Sequence, residues 1–153
     1  MSVLVTDNGF APDDWIDGYV PLAAACDVWA SPHALGIYLA SPDLTARDRL
    51  RLEQLFPRVG LIRIRVRSFG DFEAYDLAKA LRAKGFSGRL RAHGAMLARC
   101  YTFARWVGFD EIELDPQQAR RQPLEHWRKV PDWTPEGHDA RMLGALSQAS
   151  NVQ

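Results

Sequence analysis

The chain has 153 residues, 47% of them hydrophobic and 25% charged, and its 19 Lys plus Arg are matched by 19 Asp plus Glu, for a formal net charge of zero. That length suits one domain with a core of its own, and the composition excludes wholesale disorder and a membrane-resident chain, since nowhere do 18 apolar residues follow one another. Balanced charge also argues against binding nucleic acid through its backbone, which calls for a cationic excess.

Residues 1–34 open on apolar Val3-Leu4-Val5, pass Pro12-Asp13-Asp14-Trp15 and turn Ala-rich before Ala30. They predict a peripheral strand or loop and one helical turn. Residues 35–40 alternate Leu35, Ile37 and Leu39 with Gly36, Tyr38 and Ala40, the period of a strand. Ser41-Pro42-Asp43 reads as a turn with Asp43 as helix cap. Leu44, Leu50, Leu52, Leu55 and Phe56 then mark a helix running to Arg58, closed by Gly60.

A second strand spans 61–67 and leads through Ser68-Phe69-Gly70-Asp71 into a helix over 72–84, where Tyr75, Leu77, Ala78 and Leu81 recur at helical spacing and Gly85 is the stop. A third strand lies between Gly88 and Gly94. Residues 95–107 predict a third helix, with Met96, Leu97, Cys100, Phe103, Ala104 and Val107 on its apolar side, and Gly108 ends it before a strand over 109–115. After Asp115 the chain becomes rich in Pro, Gln and Arg, which predicts an interrupted helix and then an extended strap whose Trp127 and Trp133 lie against the body. Residues 139–153 predict a short helix with a frayed tail.

The whole reads as a single α/β domain over 1–153, with a βα core at 35–115 and a C-terminal helix and Pro/Trp-rich strap at 116–153. Three strands alternate apolar and charged residues. Ile62, Ile64, Val66, Leu90, Ala92, Ile112 and Leu114 fall on one face; Arg63, Arg65, Arg67, Arg89, Arg91, His93, Glu111, Glu113 and Asp115 fall on the other. A sheet with helices on both faces needs strands that are apolar on both sides. The predicted fold class is therefore α/β, a four-stranded or larger, mainly parallel sheet of βα repeats with helices mainly on one face, like part of a barrel. A flavodoxin-like three-layer sheet is the alternative. The charged face must be wet, internally paired, or covered by a partner or by the C-terminal segment.

Two chemistries suit the arginines. Arg63, Arg65, Arg67, Arg89 and Arg91 can converge on an oxyanion or carboxylate through bidentate bonds, or Glu111, Glu113 and Asp115 can neutralise them across the strands. Five arginines against three carboxylates leave positive potential either way. Loops 68–71 and 93–95 sit where parallel α/β proteins place ligands, which makes Asp71 and His93 a candidate acid/base pair at the rim. There is no serine triad, phosphate loop, dinucleotide fingerprint or metal-spaced histidine pair, so no cofactor or metal is expected. Tyr101, Trp106 and Trp127 read as core rather than as base-stacking aromatics. Cys26 and Cys100 read as reduced thiols, and with no basic segment leading into an apolar run at the start of the chain, a cytoplasmic protein is expected.

Phe69, Asp71, Tyr75, Ala78, Leu81, Arg82, then Gly88, Leu90, Arg91, Ala92, Gly94, then Gly108, Phe109 and Asp110 follow, without gaps, a pattern of Phe-x-Asp-Gly-Arg-x-Tyr-Ser-x-Ala-x-x-Leu-Arg, Gly-x-Leu-Arg-Ala-x-Gly-Asp and Gly-Phe-Asp. From Leu35 to Leu114 the chain thereby resembles the bacterial family known as domain of unknown function 934. It departs from that pattern at Phe72-Glu73, Asp76, Ala95 and Arg99-Cys100, which suggests either an ion pair swapped into Glu73 and Arg99 or a lost ligand site. The resemblance implies a role in assimilatory sulfur metabolism, because genes of the family commonly adjoin those for sulfite reductase, and it brings an oxidoreductase label without a cofactor. No flavin, haem, nicotinamide or iron–sulfur motif supports that label.

The expected function is an accessory role in assimilatory sulfite reduction, binding a protein partner such as sulfite reductase or a small oxyanion at the arginine face, with Asp71 and His93 at its rim. A small enzyme using Asp71 or His93 as base, and a structural homodimer that buries the ionic face, are the alternatives. Neither nucleic acid nor membrane is an expected partner.

Overall fold

The computed structural model describes residues 1–27 and 33–128. The strap beyond 128, with Trp133 and the helix expected over 139–153, lies outside the described residues. Seven strands form one sheet in the order β2-β1-β7-β6-β5-β4-β3: β1 (Val3–Thr6), β2 (Gly9–Pro12), β3 (Val20–Pro21), β4 (Leu35–Leu39), β5 (Val59–Val66), β6 (Arg89–Gly94) and β7 (Glu111–Leu114). From β3 to β7 neighbouring strands are parallel. The apolar start of the chain forms a hairpin, β1 and β2, that pairs antiparallel with β7.

Between the parallel strands run α1 (Ala46–Leu55), α2 (Phe72–Ala83) and α3 (Tyr101–Val107), followed by α4 (Pro116–Arg121) and α5 (Leu124–Arg128). Strands β4 to β7 are laid down side by side in chain order, and right-handed crossovers in one direction put α1, α2 and α3 on the same face. Ile37, Ile62, Ile64, Leu90, Ala92 and Ile112 of the sheet meet Leu52, Leu55, Leu77, Leu81 and Val107 of the helices there. This is the one-sided arrangement that the alternation predicts. The flavodoxin-like alternative needs a reversal of strand order, and β4 to β7 have none.

Several local expectations shift. Helix α1 is capped by Thr45, whose hydroxyl accepts from the Asp48 amide at 3.1 Å, and not by Asp43, whose amide closes a turn onto the Ser41 hydroxyl. The helix stops at Leu55, where Phe56–Arg58 tightens into a 3-10 turn around Pro57, so strand β5 begins at Val59 and takes in Gly60 at a register shift. Only residues 101–107 of the third helix are α-helical. Its first turns give way because the Ala95 amide bonds the Val66 carbonyl and Gln122 holds the Ala98 amide and the Met96 carbonyl with its side chain. The interrupted helix is α4 plus α5. Asp115 and Gln118 form a capping box on α4, and buried Trp127 on α5 donates to the Gln122 carbonyl and meets Tyr101 edge-on.

Candidate functional site

Around Arg89 and Arg91 the charged face of the sheet is covered by residues 13–19, and Gln118 of α4 reaches its other end. Gly36 on β4 and Gly60 on β5 make the cover by residues 13–19 possible by presenting bare backbone. A Cβ on Gly36 would lie 2.4 Å from the Gly18 carbonyl oxygen and 2.8 Å from Trp15 Nε1, and one on Gly60 would lie 3.1 Å from the Trp15 ring. Trp15 donates to the Gly18 carbonyl at 2.7 Å, which folds the segment back on itself and delivers Asp13, Asp14 and Tyr19 to the arginines.

Arg91, 0% exposed, is the centre of the resulting network. Its Nε donates to Glu111 at 2.9 Å, and its Nη1 donates to Asp13 at 3.0 Å, to the Tyr19 hydroxyl at 2.9 Å and to Glu113 at 3.2 Å. Arg89 bonds Glu111 at 2.8 Å and Asp14 at 2.7 Å, which holds the Asp14 carboxyl below its usual range. Arg63 bonds Glu113 at 2.8 Å and lies over the rings of Tyr19 and Tyr38. A buried charge is tolerated only when it is paired and hydrogen-bonded, and the three carboxylates expected from the strands are too few for that. Asp13 and Asp14 add acids for Arg91 and Arg89, whereas Asp115, expected among the neutralising acids, caps α4 and has no ion pair among the described residues. The imbalance of five arginines against three acids was the signal in the sequence that further acids had to come from elsewhere.

Toward the C-terminal ends of β5, β6 and β7 the face opens into a cleft of about 440 Å³, lined by Arg63, Arg65, Arg67, His93, Glu113 and Gln118 among others. Of the five candidate arginines, Arg65 alone has no ion pair among the described residues and is exposed. Arg63 Nε and His93 Nε2 are buried without hydrogen-bond partners. Burial, reinforced by the charge of Arg63, pushes the His93 imidazole down to about 4, so it is neutral near pH 7. It rests against the Tyr38 ring, 5.3 Å between centroids. Gly94 shapes the floor: its φ is +106°, and a Cβ there would lie 2.4 Å from the Val66 carbonyl oxygen. Gln118 closes the rim by donating to the Gly94 carbonyl.

The other candidates lie elsewhere or are already engaged. Arg89 and Arg91 belong to the covered network and do not line the cleft. Asp71 accepts from Arg67 twice through the guanidinium, at 2.9 Å each, and once through the backbone amide; the first of these causes draws its carboxyl down. The expected His93–Asp71 acid/base pair is therefore absent, since the carboxylate is held by its own strand's arginine. Glu73 likewise bonds Arg67 at 3.0 Å and makes no pair with Arg99. Beyond Arg67 lies a second hollow of about 440 Å³, lined by Arg67, Ser68, Gly70, Asp71, Phe72 and Glu73. Phe72, which lines it, is 67% exposed, and Phe69 in the preceding loop is 60% exposed. Missed by the sequence reading were Asp13, Asp14, Trp15, Tyr19 and Gln118.

A family model described as bacterial protein of unknown function (DUF934) matches residues 43–134, which is more than half of the chain. The chain belongs to this family. The DUF934 match takes in β5, β6 and β7, and so every residue named above on the cleft, together with Arg89 and Arg91; the covering segment 13–19 precedes it. No curated protein and no solved structure matches this DUF934 chain significantly. Among its described residues no helix is long and apolar enough to cross a membrane, and no group of three or more His, Cys, Asp or Glu is placed to hold a metal ion.

Proposed function

We propose that this protein is an accessory of assimilatory sulfite reduction that binds a small oxyanion in the cleft at the C-terminal ends of β5, β6 and β7. The observation that carries the anion reading is Arg65, a guanidinium without a carboxylate among the described residues, on a face where the other four candidate arginines each have at least one. An unpaired guanidinium with its five donors is a ready partner for an oxyanion. The cleft supplies one free charge and a neutral imidazole rather than a cage of cations, so the affinity should be modest. A charge-assisted bond or two, at ~1.5–3 kcal/mol each, corresponds to a Kd on the order of millimolar. The link to sulfite reduction rests on the family resemblance.

The enzyme alternative needs a base other than Asp71, whose carboxylate is committed to Arg67. The homodimer alternative would have to use the open cleft end of the ionic face, because residues 13–19 cover Arg89 and Arg91. Titration of sulfite, sulfate and phosphate at constant ionic strength, followed by amide chemical shifts, tests the anion reading. Shifts should cluster at Arg65, His93 and Gly94, and Arg65→Ala should weaken binding about tenfold or more; no saturable shift at millimolar concentrations would overturn it. Co-purification with sulfite reductase tests the accessory role, which fails if tagged protein at saturating concentration retains none.

A further inference from the structure

We infer that the ligand is an oxyanion ester carrying a planar apolar group, its anionic end at Arg65 in the cleft and its ring against Phe72 in the adjoining hollow, with Phe69 close by in the chain. The inference rests on the anion reading above and extends it from the charge of the ligand to its shape. A bare tetrahedral oxyanion is only a few times the size of a water molecule, which occupies ~30 Å³, and would leave most of a cleft of about 440 Å³ to solvent. The two hollows share Arg67, which lines both. That guanidinium is not free to take the anion, because Asp71 holds it bidentately and Glu73 bonds it as well. It is a fixed planar wall between the compartments, and guanidinium planes stack on flat rings.

The second compartment differs from the first in carrying an aromatic side chain, Phe72, beside Asp71 and Glu73, whose carboxylates are both held by Arg67. Phe69, in the loop that connects β5 to α2, and Phe72, the first residue of α2, are 60% and 67% exposed. Leaving two such side chains in water forgoes burial of a large apolar surface, and recovering it needs a flat apolar partner. Arg67 lines both hollows, so they adjoin, and one small molecule can reach from one to the other. Free cation, shared rigid wall and apolar rim thus describe a single bipartite site. A ligand with charge at one end and a ring at the other uses all three.

Phenyl phosphate and inorganic phosphate are the probes, titrated separately into the full chain at equal ionic strength. Phenyl phosphate should bind about fivefold tighter or better, the advantage expected of one aromatic contact. In the double variant Phe69→Ala, Phe72→Ala the ratio of the two affinities should fall to near one, and Arg65→Ala should weaken both probes. The phenylalanines are exposed and the double variant should fold; an unchanged thermal midpoint checks this. Inorganic phosphate binding with no advantage for phenyl phosphate overturns the bipartite site while sparing the anion reading. Binding of neither probe overturns both.

Discussion

Removing the guanidinium of Arg91 should be among the most damaging single substitutions on the charged face, although it deletes no apolar contact of the helix-side core. Arg91 is wholly buried and donates to Glu111, Glu113 and Asp13, and the side chains of Glu111 and Glu113 are only 7% and 8% exposed. Arg91→Met keeps most of the volume but takes one of two guanidiniums from each of Glu111 and Glu113, which keep Arg89 and Arg63 in a region closed to water, and removes the arginine that Asp13 bonds. Breaking a buried pair from one side costs about 3–5 kcal/mol. For a chain of this length that corresponds to a fall in thermal midpoint of about 10 °C or more. Arg89→Met is the control: its side chain is 33% exposed and its partner Asp14 65% exposed, so the loss should be nearer ~1 kcal/mol. Combining Arg91→Met with Glu111→Gln and Glu113→Gln should restore part of the lost stability, because the two buried carboxylates that have each lost a guanidinium are then neutral. Urea unfolding followed by far-UV circular dichroism measures all of these. Equal losses for Arg91→Met and Arg89→Met, or no recovery in the triple variant, would refute the view that this face is a desolvated ion network.

His93 sets a pH dependence whose sign follows from its environment. Its folded value, about 4, lies below the ordinary 6.5, so the unfolded chain takes up the proton first as pH falls. Stability from this group is intact above pH 6.5 and is lost progressively toward pH 4, by up to about 3 kcal/mol before solvent screening reduces it. His93→Gln should flatten the urea midpoint across that window, and the wild-type His93 ring resonance should stay in its neutral position at pH 5; a ring that titrates near 6.5 contradicts the account. Gly94→Ala combines a left-handed φ of +106° with a Cβ 2.4 Å from the Val66 carbonyl oxygen, and should cost about 2 kcal/mol or more. A thermal midpoint within 1–2 °C of wild type, on the scale of that cost, would mean that the backbone yields there more easily than the geometry implies.

Much of the architecture was legible because it depends on patterns local to each segment. Alternation of Ile62, Ile64 and Val66 with Arg63 and Arg65 has only one solution on a pleated strand, and the glycines at 85 and 108 stop helices wherever they pack. The third helix was less legible. Its apolar spacing continues back to Met96, but the backbone groups of residues 95–98 are taken by Val66, Gly94 and Gln122, partners that a local pattern does not contain. The Thr45 cap was available to the same rule that pointed to Asp43, since both residues are good caps; the choice went to Thr45 because Pro42 and Ser41 hold the preceding residues in a turn.

The order of residues by itself determined that the chain folds as an α/β sheet with an oily side under its helices and an ionic side opposite, because side-chain period and crossover handedness are properties of the chain. What only the tertiary structure decided is which arginine is left over. Asp13 and Arg91 are 78 positions apart, and they meet because Trp15 finds two glycines on neighbouring strands and lays the N-terminal segment across the sheet. Electrostatic pairing is settled by distance in space and by desolvation, neither of which is written in spacing along the chain. Four of the five candidate arginines thus pair with carboxylates, and Arg65 at the cleft has no ion pair among the described residues.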